Sequence, residues 1–213
     1  MGAIIQLVMN AATWLFRLVG DYLFPVSPHV AHIEGMSAAE FVAAVPRCTH
    51  GVALFEYHDP LVSTAVQEVK YFGNARITEM LGTVLAPHLA VANALIVPIP
   101  ISKQRRRERG YNQVEVVVHA SQRMDQKIHV CTQLLVRSKH RKSQTTKDRV
   151  ERIRSLEQCF SVNTTTAATL KKSQLIIVLD DVYTTGTTMQ EAVTTLRAAG
   201  FTQVQSLAIA HAC

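Results

Sequence analysis

The chain has 213 residues, 48% of them hydrophobic and 18% charged, enough apolar material for one domain with or without an appendage, which excludes disorder as a general description. Seven Pro and nine Gly are too few for a linker-rich or collagen-like protein. The net charge of +6 is unevenly placed: Lys103 to Arg154 holds 15 Lys/Arg against 5 Asp/Glu, and the remainder 7 against 11. That asymmetry points to an anionic partner, either small-molecule phosphates or a nucleic-acid backbone. Cys48, Cys131, Cys159 and Cys213 show neither zinc-finger nor redox-motif spacing, so they read as reduced thiols of a cytoplasmic protein.

From the start of the chain, Ile4, Ile5, Val8, Ala11, Ala12, Leu15, Leu18, Val19 and Tyr22 recur at helical spacing, with polar residues between them. This pattern predicts an amphipathic helix rather than a membrane span. The first basic residue is Arg17, so the positive start of a secretory signal is missing. The apolar face suits packing on the protein itself or on a second copy, as in a homodimer. Ser37-Ala38-Ala39-Glu40 has the form of a capping box and predicts a short helix.

Further along, amphipathic runs cover roughly Pro60 to Phe72 and Ala75 to Leu89. Ala94-Leu95-Ile96-Val97, closed by Pro98 and Pro100, reads as a buried strand ending in a turn. Tyr111–Met124 is helical in pattern, and Ile128–Val136 reads as one strand. Arg137–Glu157 is polar, basic and too long for an ordinary connection. Leu175–Leu179 is wholly apolar, as in a strand covered on both faces, and Asp180-Asp181 are expected to end it. A Thr/Gly-rich turn then leads to a helix from about Thr188 to Ala199, with Gly200 as its C-terminal cap, and a last strand over Val204–Ala210. Strand, helix, strand in this order imply an α/β fold with a parallel sheet.

The segment Leu179-Asp180-Asp181-Val182-Tyr183-Thr184-Thr185-Gly186-Thr187-Thr188 carries the chemistry. A strand end directs two carboxylates into the crevice where α/β proteins bind ligands. The turn after it supplies backbone N–H groups and threonine hydroxyls at a helix N-terminus, an anion site. Gly186 lets the backbone approach closely. Two acids beside a phosphate cradle repel a bare phosphate. They make sense if they accept hydrogen bonds from sugar hydroxyls or face a divalent metal, and a ribose 5-phosphate meets both demands. The plainer reading, an Asp pair capping a turn, leaves the five preceding apolar residues and the Thr-Gly-x-Thr sequence unexplained.

This pattern resembles the phosphoribosyl-pyrophosphate (PRPP) signature of the type I phosphoribosyltransferases. The resemblance implies that Asp180 and Asp181 contact the ribose hydroxyls and stand near Mg²⁺, directly or indirectly. It implies that Val182, Tyr183, Thr184, Thr185, Gly186, Thr187 and Thr188 bind PRPP. The acid that purine-salvage relatives carry at the position of Thr184 is missing. Val97-Pro98-Ile99-Pro100 followed by Arg109-Gly110-Tyr111-Asn112-Gln113 resembles the ComF branch, competence-associated relatives of these enzymes. Tyr57, Pro60, Lys70 and Gly73 match its upstream pattern, and Gln144, Glu151, Arg152 and Phe160 its later spacing. The resemblance covers about Phe55 to Ala210. It implies a hood-like appendage over 1–54 and a phosphoribosyltransferase-like domain over 55–213.

By the same resemblance, Pro98, Ile99 and Pro100 fall at the pyrophosphate loop, Arg109 belongs to the matched motif, and Gln144 and Arg152 lie in the hood loop. ComF-like proteins usually begin with a four-cysteine zinc module. Here Cys48 is the only cysteine in the first 130 residues, so no zinc is expected there. Ser155 and Lys147 also depart from the family pattern. His29, His32, His50, His58 and His88 lack ligand spacing, and Cys131 and Cys159 read as buried rather than nucleophilic. The implied activity is Mg²⁺-dependent phosphoribosyl transfer from PRPP to an unidentified acceptor, releasing pyrophosphate. The alternative is a non-catalytic PRPP- or nucleotide-binding accessory protein in DNA uptake or regulation. Nucleic acid is a further candidate partner of the basic segment, although no aromatics are interleaved with its arginines.

Overall fold

The structure, a computed structural model, describes residues 28–137 and 159–212. The helix expected over residues 4–22 and the expected hood loop beyond Arg137, with Gln144 and Arg152, lie outside the described residues.

Chain order runs α1 (Pro28–Gly35), α2 (Ala38–Ala44), β1 (Ala53–Glu56), α3 (Pro60–Gln67), a π-helical turn (Glu68–Phe72), α4 (Ala75–Leu89) and β2 (Ala94–Pro98). It continues through α5 (Lys103–Arg109), α6 (Gln113–Met124), β3 (His129–Val130), β4 (Leu135–Arg137) and β5 (Phe160–Val162). It ends with α7 (Thr164–Ala168), β6 (Leu175–Tyr183), α8 (Thr187–Ala198) and β7 (Gln203–His211). Five strands form a parallel sheet in the order β1-β7-β6-β2-β3, and β4 and β5 form an antiparallel pair beside it. Among the described residues no helix is long and apolar enough to cross a membrane.

Alternate residues of the central strands feed two separate cores, which is why those strands are apolar throughout. Ile96, Ile177, Leu179 and Ile209 pack with α1 to α4 and α6. Leu95, Val97, Ile176, Val178 and Val204 pack with α7, α8 and the β4–β5 pair. Val30, Ile33, Phe41 and Val45, all ahead of residue 55, share the first core. Phe41, fully buried, meets Phe55 edge to face with ring centroids 5.8 Å apart. The Ser37–Glu40 capping box forms in both directions and opens α2.

Three local expectations are corrected. Asp180 and Asp181 do not end their strand: β6 continues through Tyr183 because the long β7 pairs with it as far as His211. The run Ile128–Val136 is not one strand, since β3 pairs with β2 while β4 leaves the sheet to pair with β5. The helix expected from Tyr111 begins at Gln113, where the Asn112 side chain accepts from the Val114 N–H and fixes the start. The basic run Lys103–Arg107 is exposed and helical, with the Ser102 hydroxyl as N-cap.

Candidate functional site

The chain leaves β2 toward β3 on one side of the sheet and leaves β6 toward β7 on the other. The carboxyl ends of β2 and β6 therefore flank a topological switch point, the crevice where open α/β sheets take ligands. The loops that follow these two strands, from Pro98 and from Tyr183, form its walls.

Asp181 is 8% exposed, so its charge needs partners. Its Oδ2 accepts a 3.0 Å hydrogen bond from Gln113 Nε2 at the start of α6 and lies 3.6 Å from Lys70 Nζ. Its Oδ1 accepts from the Val182 N–H at 2.8 Å. Lys70 stands on the π-helical turn, and one turn of wider helix is a common way to aim a side chain at a site. Tyr111 fixes that turn: its hydroxyl donates to the Val69 carbonyl at 2.7 Å and lies against Gly73, whose φ of 64° closes the turn. Asn112 Nδ2 donates to the Ile99 carbonyl at 2.9 Å and so ties the motif to the loop after β2. Lys70–Gly73, Pro98–Pro100, Arg109–Gln113 and Asp180–Asp181, four separate segments, thus meet at one crevice.

Asp180 has a different environment. Its Oδ1 accepts from the Asp181 N–H at 2.9 Å. Burial, then the neighbouring Asp181 charge, push its carboxyl up to about 8. Lys70 opposes that rise, and backbone hydrogen bonding lowers it too. Sugar hydroxyls or a cation would favour the charged form of this pair. The pair is an all-oxygen donor set of the kind Mg²⁺ takes, usually with waters and substrate phosphates completing the shell. Since Lys70 and Gln113 engage Asp181, Asp180 is the acid with more room for a cation, directly or through water.

Beyond Tyr183 the chain turns at Gly186, with φ 76°, into the 12-residue α8. A Cβ at Gly186 would lie 2.1 Å from the Tyr183 hydroxyl oxygen, so Tyr183 covers the turn and only glycine fits. α2 to α7 each have a side-chain cap, from Ser37, Asp59, Asn74, Ser102, Asn112 and Asn163. α8 has none. Its first-turn N–H groups are open to an anion, with the helix dipole behind them. Thr185 and Thr187 bring their hydroxyls 3.0 Å apart at the same place.

Cationic side chains line the mouth. Arg109 Nη1 donates to Gln113 Oε1 at 3.1 Å, and its guanidinium lies 5.0 Å from the Tyr71 ring centroid. Lys70 Nζ is 5.7 Å from the same ring. Tyr71 and Phe72 are 59% and 75% exposed. Two cations therefore lie against one aromatic ring in space although no aromatic interrupts the basic run in sequence. Ile99 is buried and Pro100 accepts from Arg137 Nη1 at 3.4 Å. Cys131 and Cys159 are half-buried against the second core, and burial with the Glu191 charge pushes the Cys159 thiol up, away from nucleophilic character. A cavity of about 320 Å³ opens beside Tyr111 between α4 and α6, but neither acid nor any residue of 182–188 lines it.

The described elements make an α/β fold with a five-stranded parallel sheet, a crevice at its switch point and an acid pair leading to an uncapped helix. Among curated proteins the chain is 29% identical over 144 residues to competence protein ComFC of Bacillus subtilis, covering 66% of this chain and 55% of that one. It is 27% identical over 177 residues to competence protein F of Haemophilus influenzae, covering 76% and 72%. The match thus spans just over half the length of ComFC, and the resemblance to ComF proteins read from the motifs is borne out. No family model matches the chain. Among solved structures it is similar to the glutamine PRPP amidotransferase of B. subtilis complexed with ADP and GMP, at 18% identity and a TM-score of 0.45 over 67% of this chain and 30% of that one. A structure described as the allosteric regulatory enzyme of purine biosynthesis is similar at 18% identity and a TM-score of 0.46.

Proposed function

We propose that the chain binds PRPP with Mg²⁺ in the crevice between β2 and β6 and transfers its phosphoribosyl group to an acceptor. The observation that carries this reading is the convergence of Lys70, Gln113 and Asp181 beside Asp180, next to the uncapped start of α8. The ribose 2- and 3-hydroxyls would donate to Asp180 and Asp181. The 5-phosphate would take the N–H groups and hydroxyls of Thr184–Thr188, and the pyrophosphate would face the Pro98–Pro100 loop with Lys70 and Arg109 at the mouth. In the transfer the bond from ribose C1 to the pyrophosphate oxygen breaks, the electron pair leaves with pyrophosphate, and the acceptor's lone pair forms the new bond at C1. Mg²⁺ would neutralise charge on the departing pyrophosphate. The protein's part is to hold the ribose, orient both phosphate ends and place cations where charge develops.

The measurement is pyrophosphate release in the presence of candidate acceptors. Release that requires a particular acceptor and is lost in Asp180→Asn/Asp181→Asn supports transfer. A second reading, PRPP or nucleotide binding without turnover in DNA uptake or regulation, draws support from the competence names of the two relatives. Tight PRPP binding with no release across acceptors favours it.

A further inference from the structure

Sequence spacing points to no zinc site, yet the folded sheet brings three candidate zinc ligands together at the carboxyl ends of β1 and β7, beside Tyr183, whose ring centroid lies 5.3 Å from that of His211. Residues 46–56 fold back on themselves: Cys48 N–H donates to the Leu54 carbonyl at 2.9 Å, Glu56 N–H to the Pro46 carbonyl at 3.3 Å, and Arg47 bridges Phe55 antiparallel. Gly51, with φ 66°, lies in the turn between. Glu56 is in register with His211 of β7, and Tyr57 N–H donates to the His211 carbonyl at 2.8 Å. The backbone thus places one thiol, one carboxylate and one imidazole together. Their ligand atoms all lie within 4.8 Å of one another. His211 is buried, and Cys48 and Glu56 are half-buried.

We infer that Cys48, Glu56 and His211 form a binding site for a thiophilic divalent cation of the zinc class. Tetrahedral zinc, with bonds of about 2.0 to 2.3 Å, separates its ligand atoms by roughly 3.3 to 3.8 Å, so the cluster needs about 1 Å of closure. Sulfur, nitrogen and oxygen donors together select zinc over Mg²⁺, which takes oxygen. The exposed His50 ring stands edge to face with His211, centroids 4.8 Å apart, on the solvent side of the cluster. The ion would pin the 46–56 hairpin to β7 and fasten β1, an edge strand of the sheet. The expectation of no zinc concerned a four-cysteine module and is a different matter, because this site joins residues up to 163 positions apart.

The test loads the whole chain with zinc, dialyses it against metal-free buffer and measures metal by atomic emission. It then replaces zinc with Co²⁺ and records the thiolate-to-cobalt charge-transfer absorption. The expected result is one retained zinc per chain and a charge-transfer band. Cys48→Ser should abolish the band, Glu56→Gln should weaken zinc retention at least about tenfold, and Cys131→Ser and Cys159→Ser should leave both unchanged. Circular dichroism identifies any variant that is simply unfolded; replacing half-buried Cys48 and Glu56 rather than buried His211 keeps that risk low. No retained metal in the wild type, or a band undiminished in folded Cys48→Ser, overturns the assignment. Neither readout involves PRPP.

Discussion

Gln113 and Asp181, 68 positions apart, share a buried 3.0 Å hydrogen bond from Nε2 to Oδ2. It joins the start of α6 to the acid pair on β6, and Arg109 Nη1 donates to the same glutamine's Oε1. Gln113 is therefore a relay between the basic mouth and the acids. Gln113→Leu should weaken PRPP binding by about tenfold to a hundredfold, the range for a lost hydrogen bond to a charged group. Gln113→Glu, which sets a third carboxylate beside Asp181, should weaken it further. Calorimetric titration ranks the two, and wild-type affinity in both would show that the contact has no part in binding.

Asp180 gives a pH dependence with a definite sign. Its carboxyl is raised to about 8, so the ligand-free folded state holds a proton that the unfolded chain releases near its ordinary value of 3.8. Stability from this group is fully present below about 4 and is lost as the pH rises through about 8. Asp180→Asn should flatten that decline in urea unfolding between those limits. Binding of hydroxyls and a cation favours the charged form, so PRPP with Mg²⁺ should expel the proton below pH 8 and bind more tightly as pH rises toward it. Titration in buffers of different ionisation enthalpy counts the proton directly.

Gly186 is restricted twice, by its positive φ and by the Tyr183 hydroxyl 2.1 Å from where a Cβ would sit. Gly186→Ala should destabilise the fold by about 1 to 3 kcal/mol and displace the start of α8. PRPP affinity should fall with it. Tyr183→Phe removes the hydroxyl but leaves ring carbons within 2.9 Å of that point and the positive φ, so it should rescue little of the loss in Gly186→Ala, and Tyr183→Ala should rescue more. Thermal melts with and without PRPP separate the two effects.

Phe41 tests whether the segment before β1 is part of the core. It is fully buried against Phe55, so Phe41→Ala should cost about 3 to 5 kcal/mol in denaturant unfolding. A cost below 1 kcal/mol would mean that α2 packs only loosely on the sheet.

Much of the local structure of the candidate site was legible because strand, acids and turn are contiguous between Leu175 and Thr188. The bounds of α4, the Ser37 capping box and the strand at Ala94 were legible for the same reason. Acids disfavour strands, so Asp180 and Asp181 read in the sequence as a strand end. Pairing with β7 overrode that preference. The union of Lys70 with Asp181, the approach of Arg109 to Tyr71, and the Cys48–Glu56–His211 cluster depend on which strands and helices become neighbours. No window of sequence holds that information. The split of Ile128–Val136 between two sheets was hidden likewise, since β4 and β5 pair across residues 138–158.

The most direct measurement is calorimetric titration of PRPP with Mg²⁺ into the wild type, Asp180→Asn/Asp181→Asn and Gly186→Ala. Saturable binding by the wild type, abolished in the double variant and weakened in the glycine variant, is the predicted result. No binding by the wild type, or equal binding by the folded double variant, would contradict a ribose-phosphate site at the carboxyl ends of β2 and β6.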